Sequence, residues 1–316
     1  MKQDRRDIFH MKFGIKITGF RGLTNYNFTR PVAHDVFVLI QNAFDNNLLK
    51  PMPYDKKREF FYIHKFEYDQ TSKRVKMIVA RSDRNASAPV FTNLATQSRD
   101  TRKLSEGEGL DYSAHVIFDV YQGIMLFENV ININSARLES FFRHLFRQIK
   151  ILNTNVFEQD HPTEDGVKVR SQIKFSLRGI VSDSLKDDIE EGKLNNITFI
   201  KEVNTGSADN HSFEEKHTAL KVTPTRQGQG LFNDIGLLCK AKRNEYETAK
   251  INLITRGGQQ ATSTLRLDDS SIEGADATYF KKTVIKRITP VLDTSHNDFH
   301  PRITDVMLKE IQGYET

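Results

Sequence analysis

Apolar positions recur along this chain at two periods, and together they predict an alternation of strands and helices. Phe13, Ile15 and Ile17 alternate with Gly14, Lys16 and Thr18, so residues 12–19 predict a strand with one buried face. Past Pro31, the spacing of Val36, Phe37, Ile40 and Phe44 predicts a helix over residues 34–47, closed by Asn46-Asn47. Residues 60–68 and 74–81 read as strands of an antiparallel hairpin joined by a short polar connection. Residues 83–109, rich in Ser, Asn, Thr, Gly and charge, read as an exposed loop; a strand pair at 113–120 and 123–128 follows, separated by Tyr121-Gln122.

Residues 134–150 form the clearest helix. Leu138, Phe141, Phe142, Leu145, Phe146 and Ile149 recur at spacings of three and four, and Asn134 or Ser135 can cap the first turn. Arg143 and Arg147 lie one turn apart beside that stripe, next to His144. The polar residues 153–166 read as a linker, which sets the expected domains at 1–155 and 156–316.

Beyond the linker, residues 167–177 read as a strand, 182–191 as a short acidic helix starting at Ser182, and 197–203 and 217–222 as strands. Residues 204–214 and 223–233 are rich in polar residues and Gly and read as mobile loops. Three consecutive strands are expected at 236–242, 248–255 and 260–267, the last two joined around Arg256-Gly257-Gly258. Residues 277–288 fit a helix or a strand, and 304–311 a terminal helix. The expected class is α+β, with mainly antiparallel sheets flanked by helices in two domains.

Composition narrows the function. With 316 residues, 38% apolar and 28% charged, the chain has the balance of a soluble globular protein. The single Cys239 excludes an intramolecular disulfide and a cysteine-based zinc site, and no run approaches a membrane span, so a cytoplasmic location is expected. The net charge of +5 is unevenly spread. Residues 1–103 carry 20 Lys and Arg against 10 Asp and Glu, residues 181–235 carry 6 against 10, and residues 236–266 carry 6 against 2. Clustered cations of this kind neutralise phosphates and release condensed counterions, the sequence-independent part of nucleic-acid binding.

Constellations for catalysis are sparse. Glu106-Gly-Glu-Gly lacks the strand and helix of a dinucleotide site, and Gly-x-x-x-x-Gly-Lys does not occur. His296 and His300 have a four-residue spacing, but Pro301 disfavours a helix through them, so a surface loop is expected there and no metal site. Gln172-Ile173-Lys174 with Asp160 or Asp165, and Glu214-Glu215-Lys216 with Asp188, match the acidic-plus-lysine pattern of metal-dependent nucleases only loosely. Cys239 lies in an apolar run, where a buried, inert thiol is expected. No catalytic residue, cofactor or small-molecule substrate is assigned.

Phe61-Tyr62-Ile63-His64-Lys65, followed by Met77-Ile78-Val79-Ala80-Arg81-Ser82-Asp83, resembles the RexA superinfection-exclusion proteins of temperate phages. The similarity continues through the acidic loop 104–110, the strand pair 115–128 and the helix entry at 132–142. It returns at Asp234-Ile235-Gly236-Leu237, Lys240-Ala241-Lys242 and Arg256-Gly257-Gly258. The resemblance implies a homodimer that binds double-stranded DNA with little sequence preference, as the sensor or regulator of a phage-exclusion system with a membrane-protein partner encoded nearby. It also implies a basic strand gripping DNA, matched here by Lys240 and Lys242 on one strand face. The expected DNA contacts are therefore Lys240, Lys242 and Arg243, then Arg256 at a hairpin tip, then Arg143 and Arg147; Arg21, Lys56, Lys57 and Arg58 carry further charge. The alternatives are a metal-dependent nuclease or toxin effector of a defence system, and a protein-interaction scaffold whose charge is incidental.

Overall fold

The computed structural model describes residues 5–18, 32–84, 86, 90–92, 95–96, 98–101, 104–105, 108–160, 165–166, 168–180, 182–202, 217–267, 281–288 and 295–314. The chain runs β1 (Arg5–Thr18), α1 (Ala33–Asp45), β2 (Met52–Tyr54), a 3-10 turn (Asp55–Lys57), β3 (Glu59–Asp69), β4 (Arg74–Asp83), β5 (Val90–Thr92) and β6 (Arg99–Thr101). Next come β7 (Leu110–Asp119), β8 (Ile124–Glu128), α2 (Ser135–Leu152), α3 (Thr154–Phe157), β9 (Glu158–Asp160), β10 (Lys168–Arg170) and β11 (Gln172–Gly179). The remainder is α4 (Asp183–Glu190), β12 (Lys193–Glu202), β13 (His217–Val222), α5 (Leu231–Lys242), β14 (Thr248–Ile254), β15 (Gln260–Arg266), β16 (Lys282–Lys286) and α6 (Pro301–Gln312). This is the α+β class expected, with mainly antiparallel sheets.

The chain divides into two compact units: Met1–Ile8, Phe13–Leu177 and Val284–Thr316 make the first, Phe9–Lys12 and Arg178–Thr283 the second. The division differs from the expected cut at 155/156. Residues read as a linker form α3 and β9, and β9 pairs with β10 through Lys168↔Asp160, so that stretch belongs to the first unit. The strand expected over 167–177 breaks at Ser171, whose amide donates to the Phe157 carbonyl at 2.8 Å. Within the expected loop 83–109, β5 and β6 pair. The 204–214 loop lies outside the described residues, and the end of the 223–233 loop is already the first turn of α5.

The large sheet has the order β11-β1-β8-β7-β4-β3-β2, and its strands β8, β7, β4, β3 and β2 lie wholly in the first unit. Successive strand side chains point to opposite faces, so β7 presents Phe118 on one side and His115 on the other. Phe118 meets Phe13 at 5.0 Å and Phe142 of α2 at 5.1 Å between ring centroids, and Phe175 meets Phe142 at 5.3 Å. α1 packs against α2 and β3, adding Phe37 to this aromatic layer. On the other side, α6 packs on β7 and β8. Asn134 caps α2 as expected, accepting from the Arg137 amide at 3.0 Å.

In the second unit a sheet of order β13-β12-β14-β15 buries one face beneath α4 and α5. Leu185, Ile189, Leu194, Ile197, Phe199, Ile235 and Ile251 are among the core residues. The alternate residues of the same strands are polar: Asn252 donates to Asn196 at 2.8 Å and accepts from Thr262 at 2.8 Å. Thr198 lies between Lys221 and Lys250 on neighbouring strands. Among the described residues no helix is long and apolar enough to cross a membrane.

Candidate nucleic-acid interface

In the first unit, where α2 runs beside β11, four cations converge on one cleft. The apolar stripe of α2 fixes its rotation, and the helical spacing then sets Arg143, Arg147 and Lys150 in one row along its edge. Alternation along β11 buries Phe175 and leaves Gln172 and Lys174 exposed. These residues line a cleft of about 470 Å³ floored by the buried rings of Phe146 and Phe175. Arg143 is partly engaged: it donates to the Phe175 carbonyl at 3.1 Å and pairs with Glu139 at 2.7 Å. Arg147, Lys150 and Lys174 have no carboxylate partner among the described residues. Burial, then the Arg147 charge, lowers the pKa of His144. The cleft is a positively charged surface with an apolar floor, suited to an anionic group carried on a larger ligand.

The leading candidates of the second half are arranged differently. Residues 231–242 form the helix α5, and the strand expected over 236–242 does not exist. Leu231, Ile235 and Cys239 are buried at successive four-residue steps, and this helical period outweighs the short apolar run that suggested a strand. Gly230, with φ of +80°, supplies the left-handed residue just before the helix. Lys240 and Lys242 therefore do not share a strand face; two residues apart on a helix, they diverge by about 200° around its axis. Lys242 pairs with Glu245 at 3.0 Å and stands over the Tyr246 ring. Arg243 is the residue that follows the last turn.

Arg256 does sit in the β14–β15 turn, but its side chain lies 3.6 Å from Asp187 of α4 and 3.8 Å from Glu191, the residue that follows that helix, and its amide donates to Asp188. Lys250 faces away from α5, because Ala249 and Ile251 on either side of it are buried on the helix-covered face. The +4 segment is thus divided between opposite faces of the second unit. Arg21 lies outside the described residues, as do residues 214–216 of the second nuclease-like pattern. In the first such pattern, Gln172 and Lys174 line the cleft while Asp160 is paired with Lys168 at 2.7 Å.

A second polar centre lies under α6. Residues 295–300 are not the surface loop expected of His296 and His300: both imidazoles are buried, at 9% and 8% exposure. The segment crosses β7 and is tied to its alternate residues. Ser295 donates to Asp111 at 3.2 Å, the His296 amide to Ser113 at 2.7 Å and the His300 amide to His115 Nε2 at 2.9 Å. Glu128, one step beyond the Val116↔Phe127 pair, accepts from His115 Nδ1 at 2.7 Å and from Arg6 at 2.5 Å. Burial works to raise the Glu128 carboxyl, but the His115 hydrogen bond and the nearby charges outweigh it and hold it below the ordinary value. His296 is pushed down by burial and then by its histidine neighbour His115. Pro301 does begin α6, with His300 as its N-cap. Cys239 is buried as expected, its thiol pushed up to about 11 by burial.

Lys150 and Lys174 were missed as partners of Arg143 and Arg147. Lys150 continues the helical row by three residues, a signal present in the sequence, whereas the approach of β11 to that row is a tertiary fact. No protein-family model matches the chain, and no curated protein matches it in sequence.

Proposed function

We propose that this protein binds double-stranded DNA through its phosphate backbone, with little sequence preference, and that the α2–β11 cleft is a principal contact. The observation that supports this is the convergence of Arg143, Arg147, Lys150 and Lys174 from two elements on one cleft, three of them without a carboxylate partner among the described residues. Phosphate contacts of this kind position a protein on a duplex without reading bases. The RexA-like pattern extends the reading to a homodimer acting as sensor or regulator in phage exclusion, with a membrane-protein partner. Lys240, Lys242, Arg243 and Arg256 then serve as weaker, dispersed contacts.

Mobility shifts on unrelated duplexes test this reading. Replacing Arg147, Lys150 and Lys174 by Ala lowers affinity at least ~10-fold for every sequence and reduces the salt slope by about 2 to 3 units, since each phosphate contact contributes about 0.9. Unchanged affinity in the triple variant overturns the assignment of the cleft. A wild-type protein with no salt-sensitive affinity overturns DNA binding itself, and nicking of plasmid in Mg²⁺ favours the nuclease alternative.

A further inference from the structure

The cleft between α2 and β11 is concave, and its shape bears on the size of what it takes. Duplex DNA presents its phosphates around the outside of a rod, so a contact to its backbone needs only a row of cations on an exposed ridge. Here the cations stand on the walls of a hollow of about 470 Å³, a volume typical of sites for small ligands. Arg143, Arg147 and Lys150 line one side, Gln172 and Lys174 the other, and no described Asp or Glu joins them.

The floor and walls are held in place. Phe146 and Phe175 are buried and meet edge to face, with ring centroids 5.3 Å apart. Arg143 ties the two walls together, because its Nε donates to the Phe175 carbonyl of β11 at 3.1 Å while Glu139 accepts from its Nη2 at 2.7 Å. Arg147, Lys150 and Lys174 have no carboxylate partner among the described residues. Spacings of three and four residues bring the Cβ atoms of Arg143, Arg147 and Lys150 to ~5–6 Å from their neighbours in the row. Like charges gathered around one hollow repel one another until an anion of matching charge density lies between them. A nucleic-acid backbone supplies one charge per phosphodiester. A chain of directly linked phosphates concentrates several charges within about the pitch of one helical turn, ~5.4 Å, which is close to the spacing of the row. Ile173 and Gln172 add an apolar contact and an amide beside the charges, which suit an organic group attached to such a chain.

We propose that the α2–β11 cleft is a binding site for an oligophosphate, either inorganic or carried by a nucleotide. Oligophosphate binding presupposes the reading of this cleft as a phosphate-contacting surface, but it does not require a duplex. With no described carboxylate in the lining to help hold Mg²⁺, the chain binds as the metal-free anion, neutralised by Arg147, Lys150 and Lys174.

Isothermal titration calorimetry of the full chain in EDTA, with inorganic tripolyphosphate, ATP and orthophosphate as probes, tests this. One equivalent of tripolyphosphate is expected to bind, at least ~30-fold more tightly than orthophosphate, because several charge-assisted contacts replace one. ATP bound more tightly than tripolyphosphate shows that the nucleoside is held too; ATP bound no more tightly leaves the phosphate chain alone as the ligand, and either result supports the site. Replacing Arg147, Lys150 and Lys174 by Ala lowers the affinity at least ~10-fold, whereas Lys250→Ala, in the second unit, leaves it unchanged. If the triple variant fails to fold by circular dichroism, Lys174→Ala alone, at an exposed position, lowers it at least ~3-fold. No bound equivalent in the wild type, an affinity no better than that for orthophosphate, or undiminished binding by a folded cleft variant overturns the proposal. Duplex binding that the triple variant loses, in a protein that takes up no tripolyphosphate, overturns this site and leaves the DNA reading in place. Tripolyphosphate bound by a protein with no salt-sensitive duplex affinity supports the site and overturns the DNA reading.

Discussion

The two faces of β7 are built on different principles. On one, Phe118 enters a layer of rings from β1, α1, α2 and β11, held together by area and shape. On the other, Asp111, Ser113 and His115 are matched atom by atom with the 295–300 segment, and Glu128 is matched with Arg6 and His115. Apolar packing accepts any filling of similar volume; a buried polar network accepts only partners of the right sign, because an unpaired buried group loses its water without replacement. Conservative substitutions therefore carry opposite expectations on the two sides of one strand.

The largest effect is expected from Glu128→Gln. The shape is kept, but Arg6, mostly buried, loses its counter-charge, and breaking such a pair from one side costs about 3 kcal/mol or more. Phe142→Leu, on the aromatic face, is expected to cost less than about 2 kcal/mol, since the lost ring leaves a cavity only in part. Denaturant titration of both variants checks this. Equal costs would erase the distinction between the faces.

A smaller effect separates the faces by pH. A native carboxylate held below its ordinary pKa, such as Glu128, contributes stability above the unfolded value of about 4.3, and this is lost as pH falls through the lower native value. His296, also held down, acts in the same direction earlier: below about 6.5 the unfolded chain takes up a proton that the native imidazole resists. His10, pulled down to about 4 by burial and then by Lys281, adds to the loss between those limits. The melting temperature is expected to decline from pH 7 toward pH 4, and His296→Gln to make that decline shallower. Phe142→Leu lowers the whole curve and leaves its slope unchanged. A His296→Gln curve parallel to wild type would show that its titration is not linked to folding.

This contrast also explains what could be read before the fold was seen. The aromatic face was legible because Phe141, Phe142, Leu145 and Phe146 announce their own helix at local spacing, and alternation around Phe13 announces its strand. The polar face was not, because His115 and His300 are 185 residues apart and neither shows a local pattern that names the other. Pro301 correctly ended any helix through His296, but burial of that segment depends on β7 beneath it. The reading of 236–242 as a strand failed for another reason: Leu237, Leu238 and Cys239 form a contiguous apolar run, while of the deciding positions Leu231 lay in the expected loop 223–233 and Ile235 fell between that loop and the expected strand. The candidate site was half legible. Arg143 and Arg147 declare a row, and the opposing Lys174 comes from another element.

The same difference between local pattern and spatial convergence orders the basic residues, and it sets the smallest effect. Lys240 and Lys242 carry the charge that made residues 236–266 prominent, yet α5 points them apart and Lys242 already has Glu245 and the Tyr246 ring as neighbours. A phosphate replacing Glu245 gains little over the pair it breaks, since exposed ion pairs contribute about 0–1 kcal/mol. Lys240→Ala with Lys242→Ala is thus expected to weaken duplex binding by no more than about 3-fold and to lower the salt slope by no more than about 1 unit, against 2 to 3 for the cleft. Mobility shifts across a salt series, with both variants side by side, give the ranking. A larger effect from the α5 pair would mean that DNA is gripped by the second unit, and that charge density along the chain had been the better guide than its convergence in the fold.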